Sequence, residues 1–317
     1  MATTRVFFIT DVHGSTLCFK KFLNSAKFYD ANVLVLGGDI TGKLLVPIIE
    51  QKDGTFKCNF EGDELSLKDK TEVGGIVAKA NASGYYVQLM TKKEYEETAA
   101  DPMNVKAAFA KAMVERVREW VRLAEERLAK TDVTCYISPG NDDIFDIDPI
   151  LSSSNYVVNP EGRVVSIDAD HEMITLGYTN HTPWHSPREV DEDELGRMIE
   201  GMAANVNSMK SAIFNIHVPP INTVIDKAPM VDNNLKVVVK GNQVQMVSAG
   251  SSACRRAIET HQPLLGIHGH IHESKGIVKI GKTLCVNPGS EYGEGILRGF
   301  LAHLEGDRVK SYLLTSG

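Results

Sequence analysis

Short apolar runs recur along the chain, and each of them ends at a tight polar turn. Five runs carry this pattern, at residues 6–9, 33–36, 133–137, 212–216 and 264–267. Short continuous apolar runs bounded by Gly and Pro are typical of buried strands. Strands buried on both faces belong to layered α/β architectures, in which ligands bind at the carboxyl ends of the strands. The pattern therefore predicts an α/β fold with its functional site at one edge of the sheet.

Helical periodicity predicts helices between these strands. Residues 15–27 form a first candidate. A longer helix over residues 102–129 has apolar side chains at i+3 and i+4 spacing, with Asp101 as a suitable N-cap. A further helix is predicted over residues 187–209, because residues 186–189 have the pattern of a capping box.

A long insertion, residues 43–100, separates the second core strand from the third. Inside it, residues 44–50 and 55–60 flank a Gly-containing turn, which predicts a β-hairpin. The insertion begins a few residues after Asp39 and so starts at the functional site predicted at the strand ends. It is either a surface insertion that extends the fold, or a lid or homo-oligomer contact, and the sequence leaves both open. Residues 277–314 predict several short strands that complete a second sheet.

Composition narrows the class of protein. The chain has 317 residues and a net charge of −7, with no dense Lys/Arg run, which disfavours nucleic-acid binding. The five cysteines are scattered and form no C-x-x-C pair, so neither a disulfide framework nor a Cys-based zinc site is expected. The first apolar run is too short for a signal peptide or a membrane span. We therefore expect a cytoplasmic protein without a membrane partner.

Side chains with metal-ligating chemistry follow all five predicted strands. They are Asp11, His13, Asp39, Asn141, His217, His270 and His272. Carboxylate, amide and imidazole ligands suit manganese, iron, zinc or magnesium, and the lack of thiolates argues against a structural zinc site. Seven ligands suffice for two divalent ions if Asp39, on its Gly-Gly-Asp turn, bridges them. Two ions about 3.5–4 Å apart clamp a phosphoryl group and lower the pKa of a bound water from about 15.7 toward about 7.

This ordered set resembles the calcineurin-like metallophosphoesterase superfamily. The blocks D-x-H, G-D, G-N-H-[D/E], H and G-H-x-H are met in order at residues 11–13, 38–39, 140–143, 217 and 269–272. The resemblance implies a four-layer α/β-β/α sandwich of two mixed sheets flanked by helices. It implies one domain over the whole chain, with the insertion after the second core strand.

The resemblance also assigns roles to the candidate residues. One metal would be held by Asp11, His13 and His272, the other by Asn141, His217 and His270, with Asp39 bridging. The third block departs from the superfamily at Asp142, where a His usually stabilises the phosphate and protonates the leaving group. Asp142 is a poor acid at neutral pH unless its surroundings raise its pKa. Either the leaving group needs little help, or His181 or His185, ahead of a predicted helix N-terminus, supplies the proton.

These observations predict a hydrolase with a binuclear metal centre. Asp39, Asn141 and Asp142 are the predicted catalytic residues, and Asn141 and His185 the predicted substrate contacts. The expected reaction is hydrolysis of phosphate esters by a hydroxide that bridges two metals, with diesters favoured. The substrate would be a phosphorylated small molecule or nucleotide, since a nuclease would need a basic stripe. The alternatives are a phosphomonoesterase acting on a phosphoprotein or small metabolite, and a non-enzymatic metal-binding scaffold on the same fold.

Overall fold

The computed structural model describes residues 3–317, which form twenty strands and seven α-helices. The strands are β1 (Thr4–Ile9), β2 (Val33–Gly37), β3 (Leu45–Glu50), β4 (Phe56–Phe60), β5 (Asp63–Leu67), β6 (Tyr86–Thr91), β7 (Thr134–Ser138), β8 (Val157–Val158), β9 (Val164–Ser166), β10 (Glu172–Leu176), β11 (Ile213–Ile216), β12 (Lys227–Pro229), β13 (Val239–Lys240), β14 (Gln243–Val244), β15 (Met246–Ser248), β16 (Leu265–Ile267), β17 (Gly276–Ile280), β18 (Thr283–Asn287), β19 (Arg298–Glu305) and β20 (Arg308–Ser316). The helices are α1 (Thr16–Phe28), α2 (Lys70–Ala82), α3 (Lys92–Ala99), α4 (Pro102–Leu128), α5 (Asp148–Leu151), α6 (Glu192–Ala203) and α7 (Ser252–His261).

Two six-stranded sheets form the body of the fold. The first has the order β20-β19-β1-β2-β7-β8 and the second the order β17-β18-β16-β11-β10-β9. Strands β1, β2, β7 and β8 run parallel, as do β10, β11, β16 and β18. The remaining strands, β19, β20, β9 and β17, are antiparallel to their neighbours. The five predicted strands are confirmed as β1, β2, β7, β11 and β16.

The inner faces of the two sheets pack against each other. Phe8 and Val35 of the first sheet share one buried cluster with Met173, Ile213 and Leu265 of the second. Side chains alternate between the two faces of a strand, so the neighbouring residues point outward. The apolar runs are continuous because both faces of these strands are buried.

Helices cover the outer faces. Phe7 packs with Phe19 of α1 and Trp120 of α4, whose rings stack at a centroid distance of 4.3 Å. On the second sheet, Phe214 packs with Ile199 of α6 and with α7. The predicted α/β sandwich of two mixed sheets is therefore confirmed.

Two expectations need correction. Helix α6 begins at Glu192, because the carboxylate of Glu189 accepts hydrogen bonds from Ser186 N (2.8 Å) and from Thr182, which closes a turn ahead of the helix. The predicted start at residue 187 is wrong, and so is the predicted end at residue 209, because α6 ends at Ala203. The C-terminal strands also divide between the sheets: β17 and β18 join the second, whereas β19 pairs with β1 and extends the first with β20.

The insertion forms a small α/β unit of its own. Its sheet has the order β5-β4-β3-β6, and it encloses a core that includes Val46, Ile48, Phe56 and Ile76 of α2. The predicted hairpin is confirmed as β3 and β4. The first residue of β6 contacts the body of the fold, where the Tyr86 hydroxyl accepts a hydrogen bond from Gly42 N at 2.8 Å. The roles as lid or oligomer contact stay predictions.

Within residues 3–317, no helix has the length and apolar character that a bilayer crossing requires. The five cysteines are all buried and free.

Candidate metal centre

The seven predicted ligands meet at one edge of the two sheets. Parallel strands of one sheet end at the same edge, so the loops that follow them are neighbours. Asp11 and His13 follow β1, Asp39 follows β2, Asn141 follows β7, His217 follows β11, and His270 and His272 follow β16. The structure brings all seven together. Their role as ligands stays a prediction.

One cluster consists of Asp11, His13 and His272, each of which offers a ligand atom within 4.8 Å of the other two. His13 Nε2 lies 3.0 Å from His272 Nε2, and His272 Nε2 lies 3.4 Å from Asp11 Oδ1. These are the residues that the resemblance assigns to the first metal. Two imidazole nitrogens and a carboxylate oxygen that converge in this way match the donor set of a divalent transition-metal ion.

A second cluster consists of Asp39, His217 and His270, again with ligand atoms within 4.8 Å of one another. His217 Nδ1 lies 2.9 Å from the carbonyl oxygen of Gly37, so its Nε2 is turned toward the cluster. That Nε2 is buried and has no hydrogen-bond partner among the described residues. An orphaned buried nitrogen beside carboxylates fits a metal site. Asn141 Oδ1 lies 2.8 Å from His270 Nδ1, which adds the predicted amide ligand.

Asp39 links the two clusters. Its Oδ2 lies 3.4 Å from His217 Nε2 and 3.7 Å from His13 Nε2. A carboxylate that faces one imidazole of each cluster has the position that a bridging ligand needs. The preceding Gly38 has φ +116°, and a Cβ there would collide with the His217 ring, which explains the Gly-Gly-Asp sequence.

The backbone at this edge is held in an uncommon conformation. Asp11, His13, Asp39 and His270 all have positive φ, between 38° and 68°. Non-glycine residues in this region cost of order 1–3 kcal/mol each and gather at functional sites. The surrounding fold therefore stabilises a loop geometry that the isolated loops would not adopt.

The ionisation states suit metal binding. Burial lowers the pKa of His13 and of His270 to about 4, so both rings are neutral and have a free lone pair. Burial would raise the pKa of Asp11, but the hydrogen bond to His272 and the charge of His217 outweigh it and lower the pKa to about 2. Neutral imidazoles and ionised carboxylates are the forms that bind metals.

His217 differs from the other imidazoles. Burial alone would lower its pKa, but Asp39 first and then Asp11 outweigh this effect and raise the pKa of His217 to about 10. Without a metal, its proton supplies a positive charge between two carboxylates. A divalent cation would take over that charge and release the proton.

Three residues complete the support of the centre, and one of them, Asp143, lies in a motif block of the sequence. Asp143, the last residue of the third block, accepts hydrogen bonds from Ile40 N (3.0 Å), Thr41 N (2.8 Å) and Gly140 N (2.7 Å). It therefore ties the loop after β2 to the loop after β7. Asn287 Nδ2, at the end of β18, donates to the carbonyl oxygens of Gly269 and Ile271 in the loop after β16. Ser290 Oγ, in the turn after β18, donates to the carbonyl oxygen of Asp11.

Two further residues at the site have no sequence motif. Lys43 Nζ lies 2.7 Å from Asp142 Oδ2. The Tyr292 ring lies 4.8 Å from the His13 ring and 5.9 Å from the His272 ring, between centroids. Only tertiary packing brings these side chains to the centre. The one hint for Lys43 was its place four residues after Asp39.

Of the residues predicted to act on the substrate, Asn141 and Asp142 lie at the second cluster, whereas His185 is exposed. Asn141 Nδ2 and Asp142 Oδ1 both bond to Ser186 Oγ, at 3.0 and 2.7 Å, beside the second cluster. The His185 side chain is exposed, and within the described residues its ring forms no hydrogen bond or ion pair. His181 pairs with Asp191 at 3.1 Å on the protein surface. The role of His185 in substrate binding stays a prediction.

Comparison with known proteins agrees with this fold. No family model matches the chain. The uncharacterized protein MJ1162 of Methanocaldococcus jannaschii is 31% identical over 152 residues, which are 47% of this chain and 61% of that protein. The chain thus spans about three fifths of the length of that curated relative.

Solved structures cover the whole chain. One crystal structure covers 100% of this chain and 99% of its own, with a TM-score of 0.59 and 14% identity. TT1561 of Thermus thermophilus gives the same coverage and identity with a TM-score of 0.53. A dimetal phosphatase from Danio rerio covers 98% of each chain, with a TM-score of 0.45 and 9% identity. The first two show that this fold occurs in solved structures.

Proposed function

We propose that this chain is a metal-dependent phosphoesterase that holds two divalent metal ions and prefers phosphodiesters. The observation that carries the proposal is the pair of clusters that Asp39 links, built from strand-end residues of both sheets. Two adjacent metal ions suit phosphoester hydrolysis, because they stabilise both the attacking and the leaving oxygen.

The metal ions would be held by the seven predicted ligands. Asp11, His13 and His272 would bind one ion, Asn141, His217 and His270 the other, and Asp39 both. When bound, the ions polarise the phosphoryl oxygens and make water available as hydroxide near neutral pH, which is the proposed nucleophile. Oxygen and nitrogen donors without a thiolate suit manganese, iron, zinc or magnesium.

The chain's own residues orient the amide of Asn141. Its Nδ2 donates to Ser186 Oγ (3.0 Å) and to Asp142 Oδ1 (3.1 Å), which leaves Oδ1 directed at His270. The amide therefore presents its acceptor to the second cluster. Asp39 receives a hydrogen bond on Oδ1 from Asp142 N at 3.0 Å, so its Oδ2 stays turned toward the two imidazoles.

The preference for diesters rests on the leaving-group side. Asp142 Oδ2 lies 2.7 Å from Lys43 Nζ, so this carboxylate is occupied by the ammonium group and is not directed at a leaving group. This supports a substrate whose leaving group departs with little protonation. A phosphorylated small molecule or nucleotide fits the net charge of −7 better than a long polyanion does. We further propose a cytoplasmic location, because all five cysteines are free.

The test combines metal analysis with two model substrates. The protein loaded with Mn²⁺ is assayed with bis(p-nitrophenyl) phosphate and with p-nitrophenyl phosphate. We expect diester turnover that falls about 100-fold or more in Asp39→Asn, because both ions lose a shared ligand. Asp307→Asn is the matched control, since Asp307 is an exposed residue in the β19–β20 turn at the opposite edge of the sheet.

The outcomes separate the alternatives. Turnover of the monoester without the diester would favour a phosphomonoesterase. Bound metal without hydrolysis of either substrate would favour a scaffold.

A further inference from the structure

Lys43 lies at the mouth of the metal centre. Its ammonium group is 2.7 Å from Asp142 Oδ2, and 48% of the Lys43 side chain and 25% of the Asp142 side chain are exposed. His13 and Asp39 behind them are buried. The ammonium group therefore stands where the buried centre opens to solvent and where a substrate has to enter.

The centre is close enough for Lys43 to reach a bound phosphoryl group. The Asp142 carboxylate, the His13 ring and the Asp39 carboxylate each have a ligand atom within 4.8 Å of the other two. Asp142 N also donates to Asp39 Oδ1. A phosphoryl group beside Asp39 would thus lie next to the carboxylate that Lys43 already contacts.

The loop that carries Lys43 is fixed. Ile40 N and Thr41 N donate to the buried Asp143 carboxylate, and Gly42 N donates to the Tyr86 hydroxyl. The next residue is Lys43, so its backbone is held while its long side chain extends to the centre. Loops with such anchors position a charged group without a large entropic cost.

The side chain of Lys43 is positively charged. Burial tends to lower its pKa, but Asp142 and then Asp39 outweigh burial and raise the pKa above its ordinary value of 10.5. The group is therefore an ammonium ion at any pH used for assay. Asp142 keeps a second partner in Ser186 Oγ, so the ammonium group can turn to a phosphate while Asp142 stays bonded.

We propose that Lys43 is a further catalytic residue, which contacts the phosphate ester and stabilises the negative charge on its leaving oxygen, with Asp142 as the residue that positions it. This inference rests on the phosphoesterase function proposed above. In the reaction, a water oxygen bonds to phosphorus and loses its proton to solvent. The ester P–O bond breaks, and its electron pair stays on the leaving oxygen. Lys43 keeps its proton, and solvent protonates the departing alkoxide or phenoxide.

If Lys43 and Asp142 formed only a surface ion pair, replacing Lys43 would have a different effect. Exposed Lys–carboxylate pairs contribute little to stability, and replacing a Lys that forms only such a pair should leave phosphate binding unchanged. Lys310 and Glu305 form such a pair at 2.6 Å, at the edge of the sheet away from the centre. Lys310→Met is therefore the matched control for Lys43→Met.

The experiment measures two quantities on the Mn²⁺-loaded protein. The first is kcat for methyl aryl phosphodiesters whose leaving groups range from p-nitrophenol to phenol. We expect Lys43→Met to lower kcat about 100-fold for phenol and clearly less for p-nitrophenol, because a poor leaving group needs more stabilisation. Lys43→Arg, which keeps the positive charge, should retain most of the wild-type kcat. The second is the Kd for inorganic phosphate by titration calorimetry, which should rise about tenfold in Lys43→Met.

Each result decides one question. Equal losses for all leaving groups, or wild-type values in both measurements, would overturn the role of Lys43 while leaving the phosphoesterase function intact. If the wild type hydrolyses no substrate, the proposed phosphoesterase function is wrong. In that case the contact between Lys43 and phosphate is still tested by the Kd for phosphate, and an unchanged Kd in Lys43→Met would overturn it. If Lys43→Met does not fold, Lys43→Gln is measured against Lys43→Arg in the same two assays.

Discussion

Gly84 joins the insertion to the metal centre, and its replacement tests whether that contact matters. Gly84 has φ +85°, and a Cβ at this position would lie 2.1 Å from the carbonyl oxygen of His13. Gly84→Ala therefore adds a methyl group where both partners are backbone and neither has a flexible end. We expect the insertion and the His13 loop to separate.

The magnitude has two parts. An L-residue in the left-handed region costs about 1–2 kcal/mol, and overpacking against a fixed neighbour costs about 1–3 kcal/mol. The free energy of unfolding should thus fall by about 2–5 kcal/mol. His13 would shift with its backbone, and loss of such support typically weakens metal binding about 10–100-fold.

Urea denaturation and Mn²⁺ titration calorimetry measure the two effects of Gly84→Ala. Gly75→Ala is the control, since Gly75 lies in α2 of the same insertion with open space around it. That change should leave metal binding unaltered and stabilise the protein by about 0.5–1 kcal/mol. If Gly84→Ala behaved like Gly75→Ala, the close packing of the insertion on the His13 loop would be refuted.

Two further predictions concern the metals and pH. Removal of metal by a chelator should lower the free energy of unfolding, and Mn²⁺ at 100 times its Kd should restore about 2.7 kcal/mol for each ion bound in thermal or urea unfolding. An unfolding curve that changes with neither the chelator nor Mn²⁺ would argue against a metal site. Burial and then the charge of Asp39 raise the pKa of Asp143 to about 6 from an ordinary value of 3.8. Its contribution to the stability of the metal-free protein is therefore largest below pH 3.8 and is lost as the pH rises through about 6. Urea denaturation at several pH values should show this contribution in the wild type and not in Asp143→Asn, and identical pH profiles would contradict it.

Much of the fold followed from local patterns. The strands that end at Asp11, Asp39 and Asn141 could be predicted because a buried strand is a continuous apolar run and a ligand loop follows it. Strand β10 was missed, although it lies beside β11, because no ligand residue marks its end. The division of β17 to β20 between two sheets depends on pairing over long distances, which a pattern of short strands does not contain.

The site was predictable to the extent that its residues lie in ordered blocks. His217, a single histidine, could be identified only through the set to which it belongs. Lys43 and Tyr292 could not be identified, because their approach to the centre depends on how distant loops pack. The capping pattern at Ser186 was misleading, since Glu189 closes a turn there and the helix starts later.

The distribution of the ligands along the chain has a consequence for biosynthesis. Each cluster combines residues from the first half of the chain, such as His13 or Asp39, with histidines from β11 and β16 in the second half. A nascent chain therefore has neither metal site until His270 and His272 have left the ribosome and the two sheets have closed on each other. Metal loading would then select complete, correctly assembled molecules, since an unfinished chain lacks at least one predicted histidine ligand of each metal ion.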